Sequence, residues 1–151
     1  MPPKIKIYEA LGCLGDKRIK IKGNEGKVYS SSLKKYYVVK YDSEANAIMA
    51  NDNASYWQGY LGYPSIAFLM AAGKIKHQKE FAKALKGIKW KDINVKFKND
   101  YQKTEKYIKD VLEKRGIDIK SFSKEIDNIY TQIKSLKLNC LGKKIKPPQG
   151  Y

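Results

Sequence analysis

The chain has 151 residues, 42% of them hydrophobic and 12% aromatic, with 31 Lys+Arg against 15 Asp+Glu and a net charge of +16. That length and apolar content suit one domain with its own core and exclude disorder along the whole chain. The longest apolar run, "IAFLMAA" at 66–72, is too short to span a membrane, and "MPPKIKIYEALG" lacks the apolar stretch of a signal peptide, so a cytoplasmic protein is expected.

The charge is unevenly spread. Residues 1–73 hold 10 Lys+Arg and 6 Asp+Glu, whereas residues 74–151 hold 21 and 9. Heat-adapted surfaces raise Glu together with Lys; here the acids do not keep pace, which points to a polyanionic partner, nucleic acid or an acidic protein. The lysine-rich composition also suggests a thermophilic prokaryote as source. Cys13, Cys140 and the single histidine, His77, supply too few ligands in no recognisable spacing, so neither a metal nor a cofactor is expected. Whether the two cysteines pair is left open.

In chain order, "KIKIYEALGCLG" fits either a strand through Ile5-Lys6-Ile7 or a short helix with Ile5, Tyr8 and Leu11 on one face; the helix is favoured. Alternating or β-branched runs follow at 18–22, 27–31, 36–41 and 46–50, separated by "GNEG", "SLKK" and "DSEA". Connections this short predict an antiparallel meander of about four strands. Pro64 marks the start of a short helix and Gly73 its end; "SIAFLMAA" between them is apolar on every face and belongs in the core.

The second half is helical. Around 78–88, Phe81, Ala84, Leu85 and Ile88 form one face, and Lys76, Lys79, Lys83 and Lys86 another. A long helix is expected from Asp92 to Arg115 through Ile93, Phe97, Tyr101, Thr104, Ile108 and Val111. A second is expected over 119–140 through Ile119, Phe122, Ile126, Ile129, Ile133, Leu136 and Cys140. Joined by "RGID", the two form an antiparallel hairpin whose seam could also serve a second copy, so a homodimer through 92–115 and 119–140 is one possible assembly. The fold class is therefore α+β: a β-rich half with its central helix (1–73), a basic helical half (74–140) and a flexible basic tail (141–151).

The chemistry is sparse. No phosphate-binding loop, dinucleotide fingerprint, zinc-protease motif or nucleophile elbow occurs. "NDNASYWQGYLGYP" at 51–64 is the densest polar and aromatic stretch. It admits two readings: a pocket in which Asp52 acts as general base among Asn51, Asn53, Gln58 and Tyr56, or a joint in which "NDN" turns the chain and the aromatics wedge sheet against helices. The joint is favoured. Lys76, Lys79, Lys83, Lys86, Lys89 and Lys91, together with Lys143, Lys144 and Lys146 of the tail, are the candidate nucleic-acid contacts. Lysine far outnumbers arginine, and a point charge neutralises phosphate without the planar fork that reads guanine edges, so contacts mainly to the backbone are expected. The leading expectation is a small non-catalytic nucleic-acid-binding protein. The alternatives are a protein-interaction or dimerisation module using the helical hairpin, and a small enzyme built on 51–63.

Overall fold

The structure is a computed structural model that describes residues 1–148. It is α+β. Helix α1 (Ile5–Gly15) leads into strands β1 (Ile19–Lys22), β2 (Glu25–Tyr29), β3 (Tyr36–Asp42) and β4 (Ala47–Ala50). A π-helical turn over Ala54–Gln58 follows, and then helices α2 (Tyr63–Ala71), α3 (Lys79–Ala84), α4 (Trp90–Lys96), α5 (Tyr101–Lys114) and α6 (Ile119–Leu136). A two-residue strand β5 (Asn139–Cys140) comes last.

The sheet order is β1-β2-β3-β4-β5, antiparallel through β4 and parallel at β4–β5. The expected four-stranded meander is present, and the opening segment is helical. Period-2 patterning decides the two faces: Gly26, Val28, Tyr37 and Val39 point into the core, while Lys20, Lys22, Lys27, Tyr36 and Lys40 alternate with them and are exposed.

Helix α2 lies across the inner face of the sheet and touches β1 to β4, with α1 packed on it. Enclosed on all sides, it carries no charged residue, as "SIAFLMAA" requires. Gly73 ends it with φ +77 while its N–H and that of Lys74 bond back to Met70 and Leu69, the left-handed stop that glycine adopts without a Cβ penalty.

Two expectations for the second half need correction. The helix expected from Asp92 to Arg115 is two helices. Lys98 and Asn99 take positive φ, and the Asp100 carboxylate accepts from the Lys103 N–H at 3.3 Å, so α5 starts afresh at Tyr101. The last helix stops at Leu136, where Lys137 turns left-handed, and Asn139–Cys140 pairs with Ala47 and Ile48. The apolar seam also faces inward: Phe122, Ile126, Ile129 and Ile133 are buried in the same core as Ile108 and Leu112 of α5, and both α5 and α6 contact α1. Phe122 stacks edge-on to Tyr8 of α1 at 5.0 Å.

The two cysteines are both free. Cys13 is buried, which pushes its thiol up to about 12, and Cys140 is exposed. Of the expected tail, residues 141–148 follow β5 without regular structure, and 149–151 lie outside the described residues. No helix of the described residues is long and apolar enough to cross a membrane.

Candidate functional site

The 51–64 stretch is first of all a joint. The Asn51 side chain accepts the Val38 N–H at 2.7 Å while its own backbone N–H donates to Val38 O, prolonging the β3–β4 pairing by one residue. Asp52, 4% exposed, accepts the Ser55 hydroxyl on Oδ1 at 2.5 Å and the Ser55 N–H on Oδ2 at 3.3 Å. Burial raises its pKa, and the two Ser55 donors pull the other way. With both oxygens committed, the carboxylate acts as the cap of the π-helical turn rather than as a presented base. Tyr56 sets its ring edge-on to Trp57 at 4.7 Å.

The same turn builds one wall of a groove of about 660 Å³. Asn53, Trp57, Gln58 and Tyr60 line it from that turn, Lys6 and Glu9 from α1, and Asn94, Lys98 and Tyr101 from the α4–α5 region. A separate cavity of about 50 Å³, lined by Glu9, Arg18, Ser30, Tyr63, Trp90 and Asn94, shares Glu9, Tyr63 and Asn94 with the groove.

Glu9 is 3% exposed, yet its contacts are long: Lys6 Nζ at 3.7 Å and Asn94 Nδ2 at 3.3 Å, where a well-made charged contact spans about 2.7–2.9 Å. Trp90, 4% exposed, leaves its indole N–H without a partner, and so does Asn94 its side-chain carbonyl. Arg18 is anchored instead, through Asp16 at 3.1 Å and Tyr29 O at 2.7 Å. The groove rim is positive and aromatic: Lys6 lies over the Tyr101 ring at 5.5 Å, and Trp57 is 65% exposed.

The predicted lysines fall in three places. Lys76, Lys79, Lys83, Lys86 and Lys89 are exposed along α3 and its flanking turns, in the helical layer. That segment is clamped at both ends: Gln132 exchanges bonds with the Lys76 backbone at 2.8 and 2.9 Å, and Arg115 donates to Ala84 O and Lys86 O. Lys91 stands apart from them, half-buried at the groove. Lys143, Lys144 and Lys146 are exposed beyond β5, and Lys144 borders a separate groove of about 270 Å³ with Tyr60 and Cys140. His77 is half-buried, and burial lowers its pKa. No cluster of three or more His, Cys, Asp or Glu side chains with metal-binding geometry occurs among the described residues.

Two features escaped the sequence reading. One is Glu9, signalled only by an acid on the apolar side of "IKIYEALG". The other is the open face of the sheet. There Lys20 stands opposite Lys27, Lys22 opposite Glu25, and Glu25 opposite Lys40. Lys20 lies over the Tyr29 ring at 5.8 Å, Lys27 over Tyr36 at 5.2 Å, and the two rings are 5.8 Å apart. The alternation in "RIKIK" carried that signal.

Comparison with curated proteins and with solved structures found no match. The chain belongs to the family described as Uncharacterised conserved protein UCP014422, which it matches over residues 1–139, a span that takes in β1 to β4, the groove and all six helices.

Proposed function

We propose that the protein binds single-stranded nucleic acid without catalysis, mainly through backbone contacts and with little sequence specificity. The observation that carries the reading is the open sheet face. Like charges directly opposite each other on neighbouring strands destabilise a sheet, and Lys20 and Lys27 are so placed on a face that carries four lysines and one acid, Glu25. A phosphate chain laid across these strands would relieve that repulsion. Tyr29 and Tyr36, already spaced by lysines, offer ring faces to unpaired bases, a contact worth about 1–3 kcal/mol per base. The exposed lysines of 76–89 add a second, sequence-independent surface in the helical layer, and Lys143, Lys144 and Lys146 a third. A cytoplasmic setting in a thermophilic prokaryote accords with the composition.

The test is fluorescence anisotropy with labelled single- and double-stranded DNA and RNA at several salt concentrations. Affinity for single strands is expected to fall linearly in log salt, and Lys20→Ala with Lys27→Ala to lower the slope by about 0.7 per lysine. If Lys79→Ala with Lys83→Ala does so instead, the helical layer is the interface. Absence of binding at low salt sinks the reading and turns attention to an acidic protein partner. Burial of the α5–α6 seam in the core of the single chain supports a monomer over the homodimer alternative, and light scattering tests it.

A further inference from the structure

The groove of about 660 Å³ has the size of a single-ligand pocket, and several of its lining groups are open to solvent. Asn53, Trp57 and Gln58 from the π-helical turn and Val95, Lys98 and Asn99 from the α4–α5 region are all exposed, Trp57 at 65% and Val95 at 70%. Both contributing segments have uncommon backbone. A π-helical turn is rare and recurs at functional sites, and Trp57 lies within this one. Lys98 and Asn99 take φ +52 and +60 in succession, a left-handed conformation that residues other than glycine hold only where their surroundings impose it. The indole is also positioned before any ligand arrives, because Tyr56 packs edge-on to it at 4.7 Å.

The lining restricts the ligand. Lys6, Lys91 and Lys98 face two carboxylates, and that of Asp52 is turned to Ser55, so an anion is favoured over a cation. Asn53, Gln58 and Asn99 each offer donors and an acceptor, which suits the edge of any base and selects none. The groove also adjoins the open sheet face at the start of β3. Tyr36 points outward there, its neighbour Tyr37 lines the groove, and Lys35 lies over the Tyr37 ring at 5.4 Å.

We propose that one unstacked base of a bound single strand seats in this groove against the Trp57 ring, with its flanking phosphates toward Lys6 and Lys98. The inference rests on the strand-binding reading above and adds to it a base site distinct from the sheet-face tyrosines. A strand meets both demands of the groove, a flat ring for the indole and charge for the lysines; an acidic protein segment meets only the second.

The chain has two tryptophans, and Trp90 is 4% exposed, so emission that changes on ligand contact reports Trp57. Oligo-dT is expected to quench it by stacking. A strand of the same length made of abasic sites, equal in phosphates, is expected to bind more weakly and leave the emission nearly unchanged; this comparison uses the unaltered protein. Trp57→Ala is expected to weaken oligo-dT binding between about 5-fold and about 150-fold, the range for losing one stacked base. The salt slope should stay the same, since no charge is removed, and Trp57→Phe should restore part of the affinity. Lys20→Ala with Lys27→Ala should do the reverse, lowering the slope and leaving the quenching at saturation intact. Equal quenching by the two strands, or oligo-dT binding that neither quenches nor responds to Trp57→Ala, overturns the groove proposal and leaves the sheet-face reading standing. Quenching by oligo-dT alone, with a slope that the Lys20 and Lys27 changes do not alter, upholds the groove and removes the sheet face as the interface. No binding of either strand at low salt overturns both.

Discussion

The carboxylate of Asp52 lies against the α-carbon of Gly62, so near that a Cβ on that glycine would sit 1.8 Å from Oδ2. The backbone at Gly62 is extended, with φ −82 and ψ 174, so glycine is required there for space and not for its dihedral freedom. Gly62→Ala is therefore expected to destabilise by about 1–3 kcal/mol, the usual cost of forcing atoms into a filled site. In a chain of this size that is roughly 2–4 °C of Tm per kcal/mol. Combining it with Asp52→Ala removes the obstruction, so the double variant should be more stable than the sum of the single effects predicts. Additive losses in urea titrations would show that the two residues do not share this contact.

His77 gives stability a pH dependence of known sign. Burial holds its imidazole below the ordinary value of 6.5, and Glu125 offsets this only in part. As pH falls below about 6.5 the unfolded chain takes up a proton that the folded one resists, so stability is full above that point and declines through the window beneath it. The slope is shallow because the ring is only half-buried. His77→Gln should flatten the urea midpoint between about pH 7.5 and about pH 5.5; an unchanged profile would place the titration elsewhere.

Phe122 is the point at which three helices meet, edge-on to Tyr8 of α1 at 5.0 Å and to Phe81 of α3 at 5.6 Å, with no surface exposed. Phe122→Ala should cost about 3–5 kcal/mol through lost burial and the cavity left behind. That corresponds to a Tm lower by about 6–20 °C, measurable by calorimetry. Phe122→Leu should recover much of the loss.

The two cysteines should separate cleanly in a labelling experiment. Cys140 is exposed and Cys13 is fully buried with a thiol pushed up to about 12, and the thiolate is the reactive form. A maleimide is expected to add once to the folded protein, at Cys140, and a second time only in denaturant. Rapid double labelling of the folded state would contradict the buried placement of α1.

The elements that could be read from the sequence are those fixed by local rules. The alternation of "RIKIK" and "YYVVKY", the short turns between them, and Pro64 with Gly73 around an all-apolar run identify strands and a core helix from neighbouring residues alone. The break between α4 and α5 was also written locally, in Asn99-Asp100, a pair suited to a left-handed turn and a helix cap. The spacing of apolar residues continued across it and masked it. Strand β5 carries no local signal, because two residues pair in parallel only once α6 has delivered them to β4. The groove is the extreme case. Glu9, Asn53 and Asn94 come from three stretches of the chain more than forty residues apart, and no spacing rule connects them. The 51–64 stretch drew attention for its polarity, and that polarity is divided between a cap for its own turn and one wall of the groove.

Strand β5 is two residues long, yet it governs how the molecule meets others of its kind. All four residues of β4 are buried, and Asn139 and Leu141 donate to the carbonyls of Asn46 and Ile48 along its outer side. Without β5, "AIMA" would become an apolar edge with open hydrogen-bonding groups, the template on which chains add to one another. The opposite edge, β1, is guarded by Lys20 and Lys22 in place of a covering strand. The sheet thus protects one border with charge and the other with a short return of its own chain, and a chain ending at Leu138 should form aggregates that the full chain avoids.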